Sequence, residues 1–179
     1  MALVWKNILQ DKKGARHFAK LYRQAFPRCE RAPLWALKKN SQGENGDCFA
    51  LYDGEAFVGL VSTVKHKDLL FLFFLAVDKD KRNRGYGSQI LQELEVAYPT
   101  HRRILCIEDP DEVCREQELR QRRQGFYARN GYTSLGWRVN ERGIVYLMLG
   151  AHDARAHEFK EMMIAYLGEK IYGKVYREP

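Results

Sequence analysis

A chain of 179 residues fits one compact domain with at most a short appendage, and 45% hydrophobic with 12% aromatic residues excludes a wholly disordered chain. The longest apolar run, Leu69–Val77, is about half of the ~20 residues that a membrane-spanning helix requires, and the first residues lack the pattern of a secretory signal, so a cytoplasmic, non-membrane protein is expected. The net charge of +7 fits solubility, nucleic-acid contact or an anionic small ligand equally well. Cys29, Cys48, Cys106 and Cys114 show no C-x-x-C spacing and the histidines form no ligand pair, so reduced thiols and no metal site are expected.

In chain order, Ala15, Phe18, Ala19, Tyr22, Ala25 and Phe26 recur at helical spacing ahead of Pro27, which predicts a first amphipathic helix. Leu34, Trp35 and Leu37 predict a second, shorter one. Residues 48–52 and 55–64 flank Asp53-Gly54, a dipeptide suited to a tight turn between antiparallel strands. Leu69–Val77 reads as a strand covered on both faces. After the polar stretch 78–87, Ile90, Leu91, Leu94, Ala97 and Tyr98 form one face of a helix stopped by Pro99. A short strand at 103–107, a charged helix over 116–130 closed by Gly131, and a hairpin of 133–139 with 144–149 complete a mixed α/β order. Residues 1–150 are expected to form the main domain. Beyond it, Phe159, Met162, Met163, Tyr166 and Leu167 predict a helical extension over 151–179, begun near Asp153 and ended at Gly168, that packs on the domain or makes a homodimer contact.

The segment Arg82-Asn83-Arg84-Gly85-Tyr86-Gly87-Ser88 lies between the apolar strand and a helix, a geometry that aims free backbone N–H groups at one point. Glycine at 85 and 87 lets the main chain approach a diphosphate, and Arg82 and Arg84 add charge-assisted hydrogen bonds; the plain alternative is a solvated basic turn. Neither G-x-x-x-x-G-K-[ST] nor G-x-G-x-x-G is present, so a nucleotide P-loop and a Rossmann fingerprint drop out.

This loop resembles the [RQ]-x-x-G-x-[GA] loop of the GNAT superfamily of acyl-CoA-dependent N-acetyltransferases, and Phe126-Tyr127-Ala-Arg-Asn-Gly131-Tyr132 is similar to a second element of that family. The resemblance covers about residues 1–150. It implies an α/β (α+β) fold: a mixed, mostly antiparallel sheet of six to seven strands, splayed between strands 4 and 5 and flanked by helices. It further implies acetyl-CoA as co-substrate without a metal, main-chain contacts to the pantetheine arm from Leu75, Ala76 and Val77, and diphosphate binding by Arg82, Asn83, Arg84, Gly85, Tyr86, Gly87 and Ser88. A main-chain N–H in this region would steady the thioester oxyanion.

The implied activity is acetyl transfer to a primary amine by direct attack in a ternary complex; the alternative is a non-catalytic acyl-CoA-binding module. An alkylamine is only about 0.04% unprotonated at pH 7, so a base is needed. Glu108, with Asp109, Asp111 and Glu112 beside it, is the candidate, in competition with a purely recognitional role for the acidic loop. A glutamate of ordinary pKa lies about six units below the amine, so direct transfer needs pKa adjustment or a water relay. Tyr127 carries over to the family's general acid for the departing thiolate, and Phe126 is expected to face the core. Many family members place Asn and Ala where this chain has Arg120 and Arg123, so the family's side-chain contact from Asn to the arm has no counterpart in this sequence. The arginines Arg115, Arg120, Arg122 and Arg123 either bind a phosphate, offset the acidic loop or are solvated. The acceptor is expected to be a small-molecule or peptide amine, met by the first two helices with Trp35, the loop after Glu108 and the last hairpin. No aromatic-interleaved basic stretch appears, so no nucleic-acid partner is expected.

Overall fold

A computed structural model describes residues 2–177. By backbone contacts the chain divides into two compact units, Met1–Lys65 with Leu72–Pro99, and His66–Phe71 with Thr100–Pro179.

The first unit holds β1 (Val4–Asn7), α1 (Lys12–Ala25), α2 (Leu34–Asn40), β2 (Gly46–Asp53), β3 (Ala56–His66), the greater part of β4 (Leu69–Val77) and α3 (Tyr86–Ala97). Its strands lie in the order β1-β2-β3-β4, and β1–β2 and β2–β3 pair antiparallel. The hairpin turn is Gly54-Glu55, one residue later than the sequence pattern predicts, because Asp53 still pairs with Ala56. The predicted apolar face of α1 forms, with Leu21 added to it: Phe18, Leu21 and Tyr22 pack with Leu37, Tyr52, Leu60, Phe74 and Ala76 in one core. Tyr22 meets Phe74 edge-on at 4.9 Å, and its hydroxyl donates to the Ala32 carbonyl at 3.1 Å, so a buried phenol keeps a partner. β1 carries too few apolar residues for the alternation to reveal it. It is held instead by Glu93 of α3, which accepts from the Leu3 N–H at 2.8 Å and the Trp5 indole at 2.7 Å. Burial opposes the ionised form of Glu93, but the bonds from Trp5, Leu3 and Gln89 outweigh it and hold the carboxyl below its ordinary range.

The second unit holds the start of β4, β5 (Arg102–Glu108), α4 (Gln117–Arg129), β6 (Thr133–Glu141), β7 (Ile144–Gly150), α5 (Ala156–Leu167), α6 (Glu169–Val175) and β8 (Tyr176–Arg177), with strands ordered β4-β5-β7-β6-β8. β4 and β5 are a parallel pair, whereas β5–β7, β6–β7 and β6–β8 are antiparallel, so the sheet is mixed as expected. The described residues hold eight strands rather than six or seven, the added ones being β1 and the two-residue β8. Both are too short to show a period-2 pattern. No helix among the described residues is long and apolar enough to cross a membrane.

The C-terminal helices belong to this second unit. Phe159 of α5 packs edge-on against Phe71 at 5.2 Å and lies 5.9 Å from Trp137. The helix starts at Ala156, not beside Asp153, because Glu158 rather than Asp153 caps it: its carboxylate accepts from the Arg155 N–H at 2.8 Å. Glu158 also joins an ionic bracket. Arg102 reaches Glu158 at 2.7 Å and Asp68 at 2.7 Å, and donates to the Asp153 carbonyl at 3.0 Å.

The hydrogen bonds from Arg102, then from the Arg155 N–H, pull Glu158 down to about 2 from an ordinary 4.5. A depressed carboxyl gives stability that is full above its ordinary pKa and is lost as pH falls toward the folded value. Arg102→Met should therefore lower Tm at neutral pH by roughly 3–6 °C, from ~1–2 kcal/mol after solvent screening. That deficit should shrink between about pH 4.5 and about pH 2. Thermal melts of both proteins across that range check it, and a deficit independent of pH would contradict the ionic origin.

Candidate active site

The first unit places Leu75, Ala76, Val77 and residues 82–88 on one continuous stretch, from the end of β4 into α3. Main-chain groups of successive strand residues point to opposite edges. The Asp78 N–H donates to the Val58 carbonyl of β3 at 2.9 Å, and a Cβ placed on Gly59 would stand 2.6 Å from the Ala76 oxygen. Ala76 and Asp78 thus turn their backbone toward β3, so Leu75 and Val77 turn theirs to the other edge. Of the three residues expected to offer main-chain partners, these two point away from β3. Gly59 is the condition for that arrangement, since only a residue without Cβ lets β3 lie so close to the Ala76 carbonyl.

After β4 a short 3-10 turn, Lys79–Lys81, leads into the loop. Asn83 has φ 60° and Gly85 φ 83°, two left-handed residues around Arg84, and α3 begins immediately after Gly85. Alternation of this kind folds successive N–H groups into a concavity that suits an anion. No side chain caps the helix, and the N–H groups of Tyr86, Gly87 and Ser88 have no hydrogen-bond partner among the described residues. Nothing lies within 4 Å of where a Gly85 Cβ would be, so the glycine is required by its φ and not by crowding. Arg84 is exposed, and Arg82 folds back so that its Nε donates to the Val77 carbonyl at 3.3 Å. The Tyr86 hydroxyl donates to Asp53 at 2.7 Å, which ties the first residue of α3 to the β2–β3 hairpin. Sequence reading misses this tie, because nothing in the spacing relates positions 53 and 86.

The second unit brings Glu108, at the end of β5, together with α4. Glu108 accepts from Arg120 Nε at 3.1 Å and meets Arg123 at 3.5 Å, and the side chains of Glu108 and Arg120 are each only 12% exposed. Arg120 also reaches Glu112 at 2.6 Å and donates to the Asp109 carbonyl at 3.1 Å. Arg138 of β6 holds Asp109 at 2.5 Å and Asp111 at 2.9 Å. Of the roles open to the α4 arginines, Arg120 and Arg123 take that of offsetting the acidic loop. All four carboxylates of residues 108–112 are thereby answered within the unit. Asp109 is held below its ordinary pKa, first by the Arg138 hydrogen bond.

Tyr127 lies in the last turn of α4, its ring 5.0 Å from Phe126 and 6.1 Å from Tyr132. Both Phe126 and Tyr127 are half-buried, so the helix does not separate a core ring from a site ring as cleanly as a hundred-degree rotation suggests. The Tyr127 hydroxyl makes no hydrogen bond among the described residues. Burial pushes its pKa well above the ordinary phenol value, against a smaller lowering by Arg123. The group is therefore protonated throughout the neutral range and can act as a donor. No cluster of three or more His, Cys, Asp or Glu that could hold a metal occurs among the described residues.

Residues 44–134 match the family described as "Acetyltransferase (GNAT) domain". Among solved structures, the chain is similar to one described as an acetyltransferase of the GNAT family from Bacteroides thetaiotaomicron, at 21% identity and TM-score 0.74, covering 100% of both chains. It is also similar to an aminoglycoside 6'-N-acetyltransferase complexed with coenzyme A, at 16% identity and TM-score 0.65, covering 87% of this chain and 99% of the other. A third is the aminoglycoside 6'-N-acetyltransferase from Enterococcus faecium, at 14% identity and TM-score 0.61, with coverage of 87% and 99%. No curated protein matches the sequence.

The approach of β3 to β4 carries a direct test. Gly59→Ala places a Cβ against a backbone oxygen that cannot rotate away, so it should cost about 1–3 kcal/mol and lower Tm by roughly 3–9 °C. An unchanged melting curve would show that β4 yields there.

Proposed function

Because this chain belongs to the GNAT acetyltransferase family, we propose that it transfers an acetyl group from acetyl-CoA to a primary amine by direct attack within a ternary complex. The observation that carries this reading is the elbow after β4: three unpartnered first-turn amides, two left-handed residues and exposed Arg84 at one place. A diphosphate supplies the acceptor oxygens that such amides lack, and the helix macrodipole favours its charge. The residues fit the ligand, since the glycine at 85 leaves the approach open and Tyr86 is anchored by Asp53. Leu75 and Val77, with main-chain groups turned from β3, are the residues we assign to the amide groups of the pantetheine arm.

In the reaction, the unprotonated amine attacks the thioester carbonyl carbon, the C–N bond forms, and the C–S bond breaks. The sulfur leaves with the electron pair and takes a proton, which we assign to the Tyr127 hydroxyl. A phenol free of protein partners and held protonated suits a donor whose acceptor is the departing sulfur. The amine nitrogen loses a proton to water or to a carboxylate. Two guanidinium groups already hold the Glu108 carboxylate, so the geometry favours a positioning role for Glu108, exerted through Arg120 on α4.

The test is release of free thiol from acetyl-CoA across a panel of amines. Turnover is expected with at least one primary amine; binding of coenzyme A without turnover across a broad panel would favour a binding module. Tyr127→Phe should lower kcat by about 10²–10⁴-fold with coenzyme A affinity preserved. Because the Tyr127 pKa is raised, no loss of rate from its ionisation should appear below about pH 10. Tyr86→Phe removes the tie to Asp53 and should weaken coenzyme A by roughly 3–10-fold, read by calorimetry, with kcat at saturation little changed.

A further inference from the structure

The charge of this chain is not spread evenly. Residues 1–45 hold ten of its 30 Lys and Arg but three of its 23 Asp and Glu, a net of +7, so the remaining residues, with twenty of each sign, are neutral. The excess lies on α1, α2 and the segments around them in the first unit.

Helix dipoles account for part of it, at Arg23, Lys38 and Lys39 in the last turns of α1 and α2, but not for the start of α1. α1 opens on Lys12 and Lys13, with no acidic residue in its first turn, where the macrodipole disfavours positive charge. Asp11, the acid nearest to them, is spent as the cap, accepting from the Lys13 and Gly14 N–H groups at 3.3 and 2.9 Å. Lys38, in the last turn of α2, does agree with its helix dipole. Lys12, Arg16 and Lys38 are exposed and make no ion pair among the described residues, in contrast to Arg102, Arg120 and Arg138 of the second unit.

These three cations line one open groove of about 460 Å³, together with Ile8, Leu9 and Ala15. A groove of that size brings them within about a Debye length of one another, ~8 Å at physiological salt, so their fields add on one occupant. The apolar residues decide what that occupant is. Leu9 is 40% exposed in the groove, and no aromatic ring lines it on which a base could stack. A sugar-phosphate backbone would leave Leu9 in water, whereas a polypeptide with carboxylates flanking an apolar side chain satisfies both features. We propose that the α1–α2 face, centred on Lys12, Arg16 and Lys38, docks an acidic, amphipathic segment of a protein partner. The proposal uses neither the elbow after β4 nor Tyr127, although it falls on the two helices from which the sequence predicts contacts to the acceptor.

The probe is a fluorescein-labelled peptide of five Glu-Glu-Leu repeats, titrated with the full chain and followed by anisotropy, beside a Gln-Gln-Leu peptide and a single-stranded RNA of about the same length. The acidic peptide is expected to bind, to lose about tenfold in affinity between about 50 and 300 mM salt, and to bind more tightly than either control. Reversal of Lys12, Arg16 and Lys38 to Glu should weaken it at least ~10-fold. Reversal of Lys170, Lys174 and Arg177, an equal change in net charge in the second unit, should alter it less than ~2-fold. Coenzyme A binding and thermal melts monitor folding. If the triple reversal does not fold, the triple alanine variant at the same positions takes its place, with an expected loss of ~5-fold. Four results would overturn the proposal: no binding of the acidic peptide, equal binding of the glutamine peptide, tighter binding of the RNA, or equal losses in the two charge-reversed variants.

Discussion

The chain has to leave a buried strand and enter a helix within a few residues, and it does so without pairing the amides it exposes. That constraint organises the first unit. The apolar β4 supplies a rigid departure point, because Phe74 and Ala76 sit in the core with Tyr22 and Leu60. Gly59 lets β3 lie against the Ala76 carbonyl, which settles which strand residues turn their main-chain groups away from β3. Left-handed backbone at Asn83 and Gly85 then turns the chain so that α3 starts with its first N–H groups unanswered. Unpaired backbone donors are costly unless water or a ligand meets them, so this elbow stays exposed and is steadied from outside by the Tyr86–Asp53 hydrogen bond.

The second unit resolves its charges internally. A loop with four carboxylates in five residues would repel itself, and three arginines from α4 and β6 remove that repulsion. The consequence for chemistry is that an acidic loop need not be an acidic surface. Glu108 is largely buried, and its charge is spent on Arg120 and Arg123 before any ligand arrives. Tyr127 is the opposite case: its hydroxyl is left without a protein partner while its ring is packed. A group kept protonated and unpaired is cheap to retain only where something else takes its hydrogen bond.

What the sequence made legible follows from how far each signal reaches. Strongly periodic stretches such as α1, β4 and α3 could be read because their pattern is local, and the elbow because glycine punctuation sits inside that pattern. β1, α6 and β8 could not, since each is short and held by distant partners: Glu93 for β1, Glu141 and Asn140 for β8. The same division separates the site residues. The candidacies of Tyr127 and of residues 82–88 came from local motifs, whereas the pairing of Glu108 with Arg120 and the Asp53–Tyr86 tie depend on contacts across the fold. Two departures from the family pattern, Arg120 and Arg123, were visible as residues, but only their geometry showed that they serve the carboxylate.

Electrostatic economy explains why the N-terminal excess of charge stands out. Among residues 46–179 the two signs are equal in number, and the buried or clustered ones are matched in pairs and brackets. A protein needing only solubility could spread seven positive charges over its whole surface, where each would be screened and none would oppose a helix dipole. Concentrating them on α1 and α2 suits the last turns of both helices but places lysines at the positive end of α1 and raises self-repulsion. Such an arrangement carries a repulsive cost in the isolated chain, and negative charge brought to that face would relieve it.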